Sequence, residues 1–286
     1  MTAILHITSG DLAGDLIARS GIPGEVFVWH DILYDGPRLP GWPDEEILTA
    51  RAAYLEAATG GGLSRAVILP TLKTQYARLK TLLSMHVVLW FDACLFDQSM
   101  LCHVLTCLRI AGVGAAELIC VDAFPGIEPY HGLGQLSPEQ MASVYPRRRP
   151  VTPDQFDFAE RVGRAFALQD RQAFEALGRE ADAPLPWVPA AVRRWLAEQP
   201  DETGLGRLER LALEAIRAGC ETPAAIFAAT AAADSPPQFW TDITLWARIN
   251  ALADRDPPLA VIEGPEVRLP QWGGMAGLER FRIRPG

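Results

Sequence analysis

No stretch of the 286 residues is both uncharged and apolar over the roughly 18–20 positions needed to cross a bilayer, so no membrane role is expected. The five cysteines (Cys94, Cys102, Cys107, Cys120, Cys220) are odd in number and form no Cys-x-x-Cys pair. That pattern suits neither a disulfide framework nor a structural zinc site, and it fits reduced thiols. Gly-x-Gly-x-x-Gly and phosphate-loop motifs are absent. Internal repeats and low-complexity tracts are absent as well. The opening residues, Met1 to His6, run straight into an apolar, strand-like stretch without the basic region or cleavage site of a signal peptide. A cytoplasmic location is the expectation.

Basic charge is also short. Lys and Arg number 26 against 35 Asp and Glu, a net of −9. Residues 1–146 carry 8 basic and 15 acidic side chains, residues 147–200 carry 9 and 8, and residues 201–286 carry 9 and 12. Only Arg147-Arg148-Arg149 concentrates cations, so the basic face that phosphate backbones demand is missing and nucleic acid is an unexpected partner. That triplet could clamp a phosphate or an acidic partner, but a solvated bend is the preferred account.

What the chain does have is a core. Hydrophobic residues make up 49% and charged residues 21%, which excludes disorder and fibrous architectures and fits one large or two medium domains. Ala3–Thr8, Glu25–Trp29, His86–Phe91 and Glu117–Val121 read as strands. Helices are expected from Leu12 to Arg19 with Asp11 as a cap, from Asp44 to Ala58, from Thr71 to Ser84 and from Phe96 to Ile110. Strands alternating with helices predict an α/β layer with a mostly parallel, Rossmann-like sheet over residues 1–146. Ser137-Pro138 and Thr152-Pro153 carry helix-start signatures, opening a helical connector over 147–200. Helices over 208–218, 223–233 and 242–253, with a hairpin pairing Leu259–Ile262 to Val267–Leu269, predict a small winged-helix-like C-terminal domain over 201–286.

Ligands of open α/β sheets sit beyond the carboxyl ends of the strands. Those ends supply Ser9-Gly10-Asp11, His30-Asp31, Asp92 and Asp122, and Asp97-Gln98 opens the helix after the third strand. Asp92, Asp97 and Asp31 are the candidate acid–base groups, and Ser9, Gly10, Asp11, His30, Gln98 and Asp122 the candidate ligand-binding residues. Clustered carboxylates could also hold Mg²⁺ through oxygen. Ordinary helix capping by the same Asp and Ser side chains stands as the alternative for each. His6 reads as a satisfied core histidine, and His30 and His131 as loop residues able to titrate near neutrality. Cys94, at a helix start, could carry a lowered pKa and pair with His30. Trp187, Trp195, Trp240 and Trp246 read as core or interdomain residues.

Leu5-His6-Ile7-Thr8-Ser9-Gly10-Asp11, Gly21-Ile22-Pro23-Gly24, Trp29-His30-Asp31-Ile32-Leu33, Val88-Leu89-Trp90-Phe91, Leu95-Phe96-Asp97-Gln98 and Gly132-Leu133-Gly134-Gln135-Leu136 resemble the bacterial family named domain of unknown function 1835. Leu205 to Trp246 resembles its companion, domain of unknown function 3658. The resemblance spans nearly the whole chain and implies a bacterial two-part architecture without supplying an activity. Where the family pattern runs Trp-Phe-Glu-His-Asp-Leu, this chain has Trp90-Phe91-Asp92-Ala93-Cys94-Leu95. Trp29-His30-Asp31 stands in place of Trp-Arg-Asp. These departures imply a divergent member with a changed ligand or lost chemistry. The expected function is binding of a small phosphorylated or nucleotide-like molecule at the sheet edge, with possible catalysis by the carboxylates. The alternatives are a non-catalytic protein meeting a protein partner through its C-terminal domain, and an inactive relative kept as a scaffold.

Overall fold

His86–Asp92 (β3) is apolar along nearly its whole length, and in the computed structural model both of its faces are covered. Val87, Leu89 and Phe91 enter one hydrophobic cluster, and Val88 and Trp90 enter the other. The structure describes residues 3–286; Met1 and Thr2, part of the apolar opening stretch, lie outside the described residues. β3 lies centrally in a five-stranded mixed sheet of order β2-β1-β3-β4-β5. Here β1 is Ile4–Ser9, β2 Glu25–Trp29, β4 Ala116–Val121 and β5 Arg149–Pro150. The first four strands are parallel, and β5 runs antiparallel to β4. The Arg147–Arg149 segment is solvated at Arg147 and Arg149, as expected of a bend, but it is tied to the sheet. Arg149 pairs with Leu118 at the sheet edge, while the Arg148 guanidinium meets Glu117 at 2.8 Å and covers the Tyr145 ring.

Eleven helices occur among the described residues. α1 (Asp11–Arg19) and α5 (Pro138–Val144) cover one face of the sheet with Ala13, Leu16, Ile17, Met141 and Val144. α2 (Glu45–Ala58), α3 (Arg65–Leu79) and α4 (Leu95–Ile110) cover the other. α4 is buried on nearly every side, because α6 (Pro153–Leu168) and α8 (Val188–Glu198) pack over it from outside. Such a sandwiched position buries polar groups along with the apolar ones, and Asp97, Gln98, Ser99, His103 and Thr106 of α4 are all buried. Between α6 and α8 lies the short α7 (Arg171–Leu177). The helix starts expected at Ser137-Pro138 and Thr152-Pro153 are both formed, and each is closed by a capping box with Gln140 or Gln155.

Three expectations are corrected. α3 begins at Arg65, six residues before Thr71, and ends at Leu79. Pro70 lies inside it, near its start, where one missing N–H costs a single ladder bond; Leu83 falls beyond the helix and is exposed. Asp11 is the first residue of α1 and not its cap, since Gly10 takes that position at φ 72°. The expected C-terminal hairpin does not form. α9 (Arg207–Arg217), α10 (Pro223–Ala233) and α11 (Asp242–Ala253) are followed by β6 (Ala260–Glu263), which pairs antiparallel with β7 (Arg282–Pro285). Val267–Leu269 stays irregular because the buried Asn250 amide takes both the N–H and the C=O of Leu269, at 2.7 and 2.9 Å. One hydrophobic cluster runs from Leu5 through α4, α6 and α8 to Ile283. No helix among the described residues is long and apolar enough to cross a membrane.

Candidate functional site

β1 and β3 are neighbours, yet the chain leaves them toward opposite edges of the sheet, β1 toward β2 and β3 toward β4. Their carboxyl ends form the topological switch point, where open α/β sheets leave a crevice. At the end of β1, Ser9 is nearly buried and Gly10 turns the chain with open space around its Cα. At the end of β3, Asp92 is followed by Ala93 and by Cys94, which caps α4 by accepting the Asp97 N–H on sulfur at 3.4 Å. That cap turns the Asp97 carboxylate back toward the sheet. Asp97 Oδ1 accepts from Ser9 Oγ at 2.5 Å, and Oδ2 accepts from the Asp92 backbone N–H at 2.5 Å.

Asp92 points to the other side. Its carboxyl accepts the Tyr130 hydroxyl at 2.9 Å and the Leu133 N–H at 3.0 Å from each oxygen. Gly132 allows this approach, since a Cβ there would stand 2.6 Å from Asp92 Oδ2. Gln98 donates to the Asp92 carbonyl at 2.6 Å and to Cys120 Sγ at 3.4 Å, and its own Oε1 is buried without a partner. Burial raises the pKa of Asp92 well above the usual carboxylate range, and the Asp97 charge adds to the rise against the donors that favour ionisation. Burial likewise pushes Asp97 up to about 6, opposed by its bonds to Ser9 and the Asp92 N–H. The two acids form a buried, interacting pair whose pKa values are both raised.

The other candidate residues are placed differently. Asp31 is fully buried in an ion pair with Arg51, whose Nη2 reaches it at 2.5 Å and whose remaining donors take the carbonyls of Ile32, Asp35 and Pro37. It organises the loop after β2 and shares no hydrogen bond with Asp92 or Asp97 among the described residues. His30 lies at the surface with Nε2 2.8 Å from Asp11 Oδ1, and its N–H donates to Gln75 at 2.7 Å. Asp122 accepts from Trp187 Nε1 at 3.2 Å and ties the end of β4 to the chain just before α8. His6 is a core histidine, within reach of Trp90 Nε1 at 3.1 Å and the Pro23 carbonyl at 3.2 Å. The Cys94 thiol is pushed up by burial and then by Asp97 and Asp92, which overturns the expectation of a lowered pKa. Its sulfur serves as a cap, and no hydrogen bond among the described residues joins it to His30.

The donor set does not suit Mg²⁺. The oxygens of Asp97 and Asp92 are taken up by Ser9, Tyr130 and backbone N–H groups. No cluster of three or more His, Cys, Asp or Glu able to hold a metal occurs among the described residues. Two cavities flank Leu95 between the sheet edge and the C-terminal helices. One, of about 280 Å³, is lined by Tyr34, Trp195, Glu198, Glu209 and Arg248. The other, of about 340 Å³, opens at Ala93 and Cys94. Sequence reading does not single out Tyr130, Arg51 or Arg193, Arg194 and Arg207 of the second cavity, and it names Gly132 only within a family motif; the buried face of α2 carries a trace of the Arg51 role, as a lone cation among apolar positions. Comparison of the chain with protein-family models and with curated proteins finds no match.

Proposed function

We propose that the chain binds a small phosphorylated or nucleotide-like molecule at the carboxyl edge of its sheet, and that the Asp92–Asp97 pair holds the proton for chemistry on it. The observation that carries this reading is the Asp97 carboxyl at the switch point, bonded to Ser9 of β1 and to the Asp92 N–H of β3, with its pKa pushed up to about 6. A general acid–base group works best with a pKa near the ambient pH. A ligand at the Ser9–Gly10 turn meets that proton through Ser9 Oγ, while Gly10 leaves the backbone approachable. Asp31 is assigned a supporting role, fixing the loop that carries His30. The resemblance to the two bacterial families of unknown function belongs to this proposal, with Asp92-Ala93-Cys94 as the changed part of the motif.

The test is Asp92→Asn. Protein purified gently is denatured, and the released small molecules are identified by mass spectrometry. A molecule released by the wild type and missing from the variant, with the melting temperature nearly unchanged, supports the reading. A large loss of stability with the ligand still bound reduces Asp92 to a tie for the loop around Leu133.

A second reading is a protein partner at the C-terminal unit, in which we read the three helices and the β6–β7 pair as a winged-helix-like module. Val267, Trp272 and Met275 are exposed on the connection between β6 and β7, and exposed apolar groups gathered on one segment mark contact surfaces. α11 carries Arg248 as its sole basic residue, which favours protein over nucleic acid. Val267→Asp that weakens self- or hetero-association in sedimentation supports this second reading, and unchanged sedimentation opposes it.

A further inference from the structure

The cavity of about 340 Å³ beside Ala93 has a chemical character that the carboxylate pair does not explain. Its space exists because α8 turns small residues toward it, Ala190, Ala191 and Ala197. Cys94 and Leu95, the start of α4, form another side, so the positive end of a 16-residue helix opens on it. Arg193 and Arg194 of α8 and Arg207 of α9 complete the lining.

These cations are incompletely neutralised. Arg194 Nη1 and Arg207 Nε share one oxygen of Asp234, at 2.5 and 3.1 Å. Arg194 Nη2 lies 2.8 Å from Glu198. Arg193 bonds only the Gly178 carbonyl, at 2.5 Å, among the described residues. Three guanidiniums thus face two carboxylates in a chain whose net charge is −9. A local excess of planar, forked donors in a small-molecule-sized cavity is the arrangement that recognises phosphoryl oxygens.

We infer that this cavity is an anion site for a phosphate or diphosphate group, with Arg193 and Arg207 as contacting residues and Arg194 positioned by Asp234 and Glu198. The inference rests on the reading of the sheet edge as a ligand site and names the group that the ligand presents there. Its apolar walls, including Pro236 and Pro237, accommodate the non-ionic body attached to that group.

The experiment is isothermal titration of the full chain with inorganic pyrophosphate at low salt, where charge interactions are least screened. One-site binding is expected, weakened at least tenfold in Arg193→Gln and abolished in Ala190→Glu, which brings a carboxylate into the cavity from an exposed helical position. Circular dichroism and melting temperature check that both variants fold. Arg217→Gln, an exposed arginine of α9 outside the cavity lining, is expected to leave pyrophosphate affinity within twofold. Absence of saturable binding to the wild type, or equal binding by the wild type and both cavity variants, overturns the anion site. A wild type that ignores pyrophosphate while still releasing a small molecule that Asp92→Asn lacks would overturn the arginine cavity and leave the carboxylate reading standing.

Discussion

Ser9 Oγ donates to Asp97 Oδ1 at 2.5 Å across 88 positions of sequence, fastening the end of β1 to the first turn of α4. The bond joins the two strands whose crossovers diverge, so a single side chain defines the floor of the switch point. Because the same carboxyl also takes the Asp92 N–H, its protonation state is linked to the geometry of both strand ends.

A pH dependence follows directly. Asp97 has its pKa raised on folding, so the native state binds its proton more tightly than the unfolded chain does. Its contribution to stability is complete below the unfolded value, about 3.9, and is lost as the pH rises through about 6. Urea denaturation of wild type and Asp97→Asn at pH 4.5 and pH 7.5 measures this. The wild type is expected to lose on the order of 2 kcal/mol more than the variant between the two pH values. Equal losses would place Asp97 in the ordinary carboxylate range.

The Asp31–Arg51 pair predicts a purely structural phenotype. Both side chains are buried, and Arg51→Met leaves the carboxylate without a counter-charge, at a cost of about 3–5 kcal/mol. Asp31→Leu combined with Arg51→Met removes both charges and is expected to recover much of that loss. Chemical denaturation of the three proteins checks the order. A single variant as stable as the wild type would mean that Asp31 is solvated.

Gly132 tests the contact between Asp92 and the loop that covers it. Its φ is 154°, and a Cβ there meets Asp92 Oδ2 at 2.6 Å. Gly132→Ala is expected to destabilise the chain and to expose the segment 124–136 to proteases. In an Asp92→Ala background the same substitution is expected to cost less, because the clashing oxygen is gone, although the backbone strain persists. Equal costs in the two backgrounds would show that the oxygen does not oppose the new methyl group.

Thiol reactivity separates the cysteines. Burial pushes Cys94, Cys102, Cys107 and Cys120 upward, and the Asp92 and Asp97 charges add to it at Cys94 and Cys120. An aromatic disulfide reagent at pH 7.5 is expected to label Cys220, which is partly exposed, well before the buried Cys94, Cys102 and Cys107, and to label all five in denaturant. Fast labelling of Cys94 in the folded chain would restore it as a reactive thiol.

Local signals made much of this fold legible. β2 at Glu25–Trp29 and the helices Pro223–Ala233 and Asp242–Ala253 match the sequence reading residue for residue, because caps and apolar runs bound them. The start of α3 is not legible from the spacing of Leu72, Tyr76 and Leu79 alone; its buried face extends back through Pro70 to Ile68. The strand paired with β6 is not legible locally, because the nearest apolar run has the Leu269 backbone groups taken by Asn250, a contact no periodicity reveals. The acids at the strand ends were legible as a set from the α/β pattern. Their sorting was not, since Asp31 is withdrawn by Arg51, twenty positions away, and Asp122 by Trp187, sixty-five away. The arginine cavity was illegible because Arg193, Arg194 and Arg207 lie on two helices whose packing brings them together.

The most direct measurement is native mass spectrometry of the gently purified chain, before and after addition of phosphomonoesters and nucleoside diphosphates up to millimolar concentration. Binding at the sheet edge predicts one adduct per chain, carrying phosphate, that Arg193→Gln weakens at the cavity and Asp92→Asn weakens at the switch point. A bare chain at every concentration would contradict it.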